Sequence, residues 1–143
     1  MVRETLYRTS VTVTGGRRGG TAKSDDGRLD LKLDMPKEMG GSGGQGTNPE
    51  QLFAAGYAAC FESAILFLAR SEKLNVTQSH VKAPVGIGPG DAGPGFELAV
   101  RLEVSLPELD RADAERLVAK AHDEVCPYSK ATRGNIAVEA VAV

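Results

Sequence analysis

The chain has 143 residues, of which 25% are charged and 41% hydrophobic, and its formal net charge is −2. This length and composition are typical of one globular domain, here residues 1–143, and they exclude a disordered chain or a small disulfide scaffold. Lys and Arg are scattered without a basic block, so the charge pattern gives no sign of binding to nucleic acid or to an anionic membrane surface.

The first third of the sequence predicts β-strands. Its opening, MVRETLYRTSVTV, lacks the continuous apolar run of a signal peptide, which favours a cytoplasmic location, and the stretch TLYRTSVTVT, residues 5–14, is β-rich. Apolar residues then alternate with polar ones in LDLKLDM, residues 29–35, as in a strand with one buried face. The loops GGRRGG and GGSGGQG match no phosphate-binding spacing, so we interpret them as turns and mobile surface.

A long helix is predicted next, from Pro49 to about Lys73. Asn48 can cap its first turn, Pro49 suits the first helical position, and Gln51 can complete a capping box.

Apolar and small residues surround this helix on all sides between Leu52 and Ala59, which predicts a central helix covered on every face. The stretch 52–69 is also close to the length of a membrane span. A carboxylate at Glu62, near the middle of such a span, would be costly there, so we favour a helix buried within the protein.

Further strands follow in VKAPVGI, in FELAVRLEVSL and in the closing NIAVEAVAV, and antiparallel pairing fits them best. Pro84 limits its own strand to an edge or a bend. A second helix is predicted from about Arg111 to Val125, with Pro127 ending it, and Leu117, Val118, Ala121 and Val125 share its apolar face. This order of elements predicts an α+β domain, with helices packed on antiparallel sheets.

The only two cysteines, Cys60 and Cys126, fall one in each predicted helical segment. Cys60 could be a small core residue, because free cysteine is among the most buried residue types. Cys126 lies at a helix end beside a proline, where we expect the backbone to be exposed enough to move. A redox pair accounts for both, since one thiolate attacks an oxidant and the other thiol resolves the sulfenic acid as a disulfide.

A thiolate at Cys60 needs a cation nearby, because an apolar setting raises the pKa of a thiol. Arg17 and Arg18 lie in a glycine-flanked loop that could approach closely, although solvated loop charges would look the same. Glu50, in the first turn of the long helix, could orient one of these arginines. A carboxylate at a helix N-terminus is also favourable by itself.

Two other classes of function remain open at this point. His122 and Cys126 are spaced i, i+4 on one helix, and Cys60 with His80 could complete a metal site, but no C-x-x-C pair is present. In that reading His122 is an alternative ligand, whereas otherwise we expect it to be solvated or to cap the helix end. The second alternative is a non-catalytic interaction module whose cysteines are inert core residues.

The segments TNPEQLFAAGYAACF and VCPYSKATRGNI closely resemble the two signature segments of the organic hydroperoxide resistance proteins, a branch of the OsmC-like superfamily. TGGR, LDLKL, MGG and VGIG extend the resemblance over nearly the whole chain in order. It implies an OsmC-like α+β fold with antiparallel sheets around a long central helix, in an intertwined homodimer. It also implies a thiol-dependent peroxidase that protects against organic peroxides under oxidative stress.

By this resemblance Cys60 is the peroxidatic cysteine and Cys126 the resolving one, Arg17 stabilises the thiolate, and Glu50 is the carboxylate partner of Arg17. The implied reductant is an external dithiol, dihydrolipoamide or a lipoylated protein, and no metal or flavin cofactor is implied. The chain departs from the family pattern at Arg18, where an acidic residue is common, and at Lys130, where asparagine is common. The first departure leaves open which arginine faces the thiol.

Overall fold

The computed structural model describes all 143 residues and divides into two compact units, Met1–Pro49 and Glu50–Val143. The first unit is a small sheet with its connecting loops, and the second contains the helices and the larger sheet. The sequence predicted one domain over residues 1–143, and that statement stays a prediction.

The first unit is built on a three-stranded antiparallel sheet. Its strands are β1 (Val11–Thr14), β2 (Thr21–Ser24) and β3 (Asp30–Lys32), in that order, and a short 3₁₀ turn follows at Lys37–Met39. The predicted strands 5–14 and 29–35 are present but shorter, and β2 was not predicted because TAKS is short and mostly polar.

The loop between β1 and β2 carries the two arginines, and its glycines make the tight turn possible. A Cβ atom at Gly20 would lie only 2.3 Å from the carbonyl oxygen of Gly16, so a side chain cannot fit there. Gly15, Gly16 and Gly19 all have positive φ angles, which glycine adopts at no steric cost. Arg17 is half-buried in this loop and Arg18 is exposed.

The second unit contains a four-stranded sheet centred on one long strand. This strand, β6 (Phe96–Ser105), pairs antiparallel with β4 (His80–Lys82) and β5 (Val85–Pro89), and parallel with β7 (Val138–Ala142). The prediction of antiparallel pairing is therefore correct for four of the five strand pairs and wrong for β6 with β7. Pro84 separates β4 from β5, as expected from its missing N–H donor.

The long helix α1 (Pro49–Ser71) forms the core of the second unit along one face. Its inward side chains are Tyr57, Phe61, Ala64, Ile65, Leu68 and Ala69, and they pack with Val100, Leu102 and Val104, which alternate along β6. The predicted start is confirmed, and the helix ends two residues before the predicted Lys73. On length and composition alone α1 could cross a membrane, but its buried face packs in this core.

The opposite face of α1 is not covered in this chain, so the prediction of burial on every side was wrong. Ala55, Ala59, Ser63 and Phe67 are exposed, and the Phe67 side chain is 55% exposed. Their four-residue spacing places them on a single stripe along the helix.

The second predicted helix, from about Arg111 to Val125, consists of two consecutive helical segments. The helix α2 (Arg111–Lys120) is capped at its N-terminus by Asp110, whose carboxylate accepts the Asp113 backbone N–H, and it continues into a π-helical turn at Ala121–Val125. The apolar face was predicted correctly, since Leu117, Val118 and Ala121 are buried and Val125 packs against the core.

Pro127 does not end the helical structure but begins the short helix α3 (Pro127–Thr132). The residue before a proline is disfavoured in the α region, and Cys126 is accordingly extended, with φ −70° and ψ 118°. Proline suits the first helical position because its missing N–H would have no partner there. The chain therefore breaks at Cys126 and resumes as a helix at once.

Candidate active site

The two cysteines meet inside the second unit. Cys60, half-buried on α1, lies 3.8 Å from Cys126, measured between the sulfur atoms, with the Cys126 thiol donating to Cys60. Both thiols are free, and a disulfide would require the sulfurs to approach to about 2.05 Å. Cys126 is only 1% exposed, which corrects the expectation of an exposed, mobile position at a helix end.

The surroundings of Cys60 raise the pKa of its thiol above the ordinary value. Burial is the main cause, and the neighbouring Cys126 adds to it, whereas a hydrogen bond from the Tyr128 backbone N–H acts in the opposite direction. Burial and the neighbouring Cys126 therefore disfavour a charged thiolate at Cys60, and the Tyr128 backbone N–H favours it.

Tyr128 is a site residue that the sequence reasoning missed. Its N–H belongs to the first turn of α3, where backbone donors have no partner within the helix. Its ring extends along α1 toward Gly56, one turn before Cys60: a Cβ atom at Gly56 would lie 2.8 Å from the Tyr128 hydroxyl oxygen. The available sequence signal was the proline at the first position of a new helix.

A series of buried hydroxyl groups joins α1 to α3. The Tyr57 hydroxyl is 2.9 Å from Ser129 Oγ and 3.1 Å from Thr132 Oγ1, and His122 Nδ1 is 2.9 Å from Ser129 Oγ. Tyr57 and Ser129 are fully buried. His122 is half-buried and hydrogen-bonded inside the protein, which corrects the expectation that it is solvated or caps the helix end.

Glu50 and Cys60 lie on the same helix, as predicted, but far apart along it. Glu50 is half-buried in the first turn of α1, and ten residues at 1.5 Å each separate it from Cys60 by roughly 15 Å along the axis. The structure therefore brings the two thiols together and does not bring the Glu50 of the same helix to them. Arg17 lies in the first unit.

The residues considered for a metal site do not come together as a set of metal ligands. No group of three or more His, Cys, Asp or Glu side chains in the chain is placed to hold a metal ion. His122 directs its Nδ1 to Ser129, and His80 lies on β4, paired with Ser105.

The comparison with known proteins identifies the family. The family model described as OsmC-like protein matches residues 41–141. An organic hydroperoxide resistance protein of Xanthomonas axonopodis pv. citri is 51% identical over 133 residues, which cover 93% of this chain and 92% of the relative. The chain belongs to the OsmC-like family, in the branch of organic hydroperoxide resistance proteins.

Solved structures of this branch share the whole fold. The crystal structure of the organic hydroperoxide resistance protein OhrB of Bacillus subtilis is 44% identical, with a TM-score of 0.88 over 97% of this chain and 100% of that chain. The organic hydroperoxide resistance protein from Elizabethkingia anophelis is 46% identical, with a TM-score of 0.90 over 97% of both chains. The predicted family and the predicted α+β fold are thus confirmed.

Proposed function

We propose that this protein provides resistance to organic peroxides by acting as a cysteine-based peroxidase, which reduces organic hydroperoxides to alcohols. The main support for this proposal is the pair of free thiols, Cys60 half-buried and Cys126 buried, whose sulfur atoms lie 3.8 Å apart. Membership of the organic hydroperoxide resistance branch supports the choice of oxidant. The cytoplasm is the proposed location, because a thiol pair stays reduced there between turnovers.

The first chemical step takes place at Cys60. Its thiolate attacks the terminal peroxide oxygen and the O–O bond breaks, so that Cys60 becomes a sulfenic acid; the alkoxide leaves as the alcohol by taking up the proton that the Cys60 thiol had released. The Tyr128 N–H stabilises the thiolate by a hydrogen bond. In the proposal Arg17 supplies the positive charge that the thiolate and the leaving oxygen require, and Glu50 orients Arg17.

The second step forms the disulfide. The Cys126 sulfur attacks the Cys60 sulfur, the S–O bond breaks, and the hydroxyl leaves with the Cys126 proton as water. An external dithiol then reduces the disulfide by thiol exchange, for which dihydrolipoamide or a lipoylated protein is the proposed source. None of these proposed steps requires a metal or a flavin.

Apolar surroundings favour organic peroxides over hydrogen peroxide in this site, because a small polar oxidant gains nothing from an apolar wall. Tyr57 and Phe61 are fully buried and serve core packing. The half-buried Phe53 and the ring of Tyr128, which is 40% exposed, remain available to contact an alkyl or fatty-acid chain.

A homodimer with shared sites is part of the proposal. The exposed stripe of Ala55, Ala59, Ser63 and Phe67 on α1 supports a second copy as the missing cover. The separation of roughly 15 Å between Glu50 and Cys60 along α1 supports a carboxylate from the partner subunit, in a symmetric dimer with two sites.

The shared-site arrangement is tested by combining two impaired chains. A heterodimer of Cys60→Ser and Glu50→Ala subunits, isolated with two different tags, places both defects in one pocket and leaves the other intact. About half of the wild-type activity is expected by that counting. Activity no greater than the Glu50→Ala chain allows would show that Glu50 acts within its own subunit.

The peroxidase itself is tested by counting free thiols with intact mass spectrometry, before and after one equivalent of cumene hydroperoxide. A loss of two mass units with both thiols consumed is expected. Unchanged thiols would contradict the proposal and favour an inert interaction module. A bound metal found by elemental analysis, with thiols that do not react, would favour a metal site at Cys60, His122 and Cys126.

A further inference from the structure

The buried chain of hydroxyl groups has a single consistent arrangement of hydrogen atoms. Its four hydrogen bonds join His122 Nδ1 to Ser129 Oγ, Ser129 Oγ to the Tyr57 hydroxyl, the Tyr57 hydroxyl to Thr132 Oγ1, and Thr132 Oγ1 to the Ser129 carbonyl oxygen. Each of the three hydroxyl groups has one hydrogen to donate. Four hydrogen bonds therefore require one further hydrogen, and only His122 can supply it.

The donor and acceptor of each hydrogen bond follow from the last one, in which the Ser129 carbonyl oxygen takes part. A carbonyl oxygen only accepts, so Thr132 must donate to it, and Tyr57 must then donate to Thr132. Ser129 in turn donates to Tyr57, and its oxygen accepts from His122. His122 thus carries a hydrogen on Nδ1, and the series of hydrogen bonds assigns the tautomer of its imidazole ring.

These hydrogen bonds hold in place the segment that contains Cys126. Ser129 and Thr132 belong to α3, Tyr57 belongs to α1, and His122 belongs to the π-helical turn that precedes Cys126. The guanidinium of Arg133 also donates to the His122 carbonyl oxygen, which ties the π-helical turn to the end of α3. The three segments that surround Cys126 are therefore joined by buried polar contacts rather than by apolar packing alone.

We propose that His122, donating through Nδ1, and Tyr57 are positioning residues that hold Ser129 and, with it, Cys126 within reach of Cys60 for disulfide formation. The inference rests on the proposed function and adds a mechanism for its second step. The sulfurs must close from 3.8 Å to about 2.05 Å, so a displacement of α3 by a similar distance would put the resolving thiol out of reach. A slower resolving step leaves the Cys60 sulfenic acid exposed to other reactants.

The first test reads the tautomer directly. The chain has only two histidines, so ¹⁵N-labelled protein with a His122→Asn variant for assignment resolves the two imidazole rings by NMR. In the reduced wild-type protein the Nδ1 of His122 is expected to carry a hydrogen. A bare Nδ1 in the folded protein would overturn the proposed direction of the chain.

The second test measures how each turnover divides between two products. Reduced protein receives one equivalent of cumene hydroperoxide with dimedone, which traps sulfenic acid, and intact mass gives the ratio of trapped Cys60 to disulfide. Tyr57→Phe and His122→Gln are each expected to raise that ratio about fivefold. This is the effect of losing one net hydrogen bond that favours the position of α3 from which Cys126 can reach Cys60. A merely unstable protein would lose active fraction without changing the ratio.

Matched variants separate the hydrogen bond from general damage. His122→Asn places an amide near the position of Nδ1 and is expected to keep the ratio close to wild type, whereas glutamine reaches the position of Nε2. Ser71→Ala removes a hydroxyl from α1 that bonds to the Leu68 carbonyl oxygen, and it should leave the ratio unchanged. A wild-type ratio in Tyr57→Phe and His122→Gln would overturn the positioning role. Absence of any disulfide in the wild-type protein would instead overturn the proposed function.

Discussion

Replacement of Gly56 by alanine is expected to keep the protein stable and yet impair the thiol. Gly56 lies one turn before Cys60 on α1, and an added Cβ would lie 2.8 Å from the Tyr128 hydroxyl oxygen and 3.2 Å from two ring carbons. The Tyr128 ring is 40% exposed, so it can move outward. That movement pulls on the backbone segment whose N–H is bonded to Cys60.

The two effects of Gly56→Ala on stability nearly cancel. Alanine is worth about 0.5–1 kcal/mol over glycine inside a helix. Moving an aromatic side chain about 30° from its preferred rotamer costs about 0.5–1.5 kcal/mol. The free energy of unfolding is therefore expected to stay within about 1 kcal/mol of wild type. In a Tyr128→Ala background, where no ring has to move, Gly56→Ala should increase the free energy of unfolding by the whole difference between alanine and glycine.

The effect of Gly56→Ala on the thiol is larger. A hydrogen bond to a charged group is worth about 1.5–3 kcal/mol, and 1.36 kcal/mol corresponds to one pKa unit. Loss of the Tyr128 N–H should therefore raise the pKa of Cys60 further and reduce its alkylation rate near neutral pH at least about tenfold. Urea unfolding gives the stability, and peptide mass spectrometry follows Cys60 alkylation. Equal stabilisation in both backgrounds, or an unchanged alkylation rate, would refute the steric argument.

The remaining predictions concern the cation and the oxidant. Because burial raises the pKa of Cys60 and the proposed role of Arg17 is to lower it, Arg17→Ala should shift the pH profile of Cys60 alkylation to higher pH than in the wild-type protein. Arg18→Ala is the matched control and should leave the profile unchanged; a shift in Arg18→Ala alone would reverse the assignment. Steady-state kinetics should give a higher kcat/KM for cumene hydroperoxide than for hydrogen peroxide. The opposite order would contradict the argument that apolar surroundings of the site favour organic peroxides.

The main elements of the fold could be predicted from local signals. Asn48 and Pro49 marked the start of α1, and ten alternating residues marked β6, because capping and side-chain alternation act over short distances. The parallel pairing of β7 with β6 could not be predicted in this way, since strand direction depends on the path of the chain through α2 and α3. The short strand β2 was missed because its sequence has little apolar character.

The site was predicted in part, for a related reason. Cys60 and Cys126 were identified by their residue type and setting, and the structure places their sulfurs 3.8 Å apart. The hydrogen bonds of Ser129 and His122 had no sequence signal, because such residues are usually exposed and only tertiary packing buries them. Pro127 was interpreted as a stop, although proline suits the first helical position equally well, and this error concealed Tyr128.

A single-turnover experiment with the two cysteine variants tests the central claim most directly. Reduced Cys126→Ser protein, mixed with excess cumene hydroperoxide and no reductant, should consume about one peroxide per subunit and then stop with Cys60 as a sulfenic or more oxidised acid. Cys60→Ser protein should consume none. Equal consumption by both variants would contradict the assignment of Cys60 as the attacking thiol and Cys126 as the resolving one.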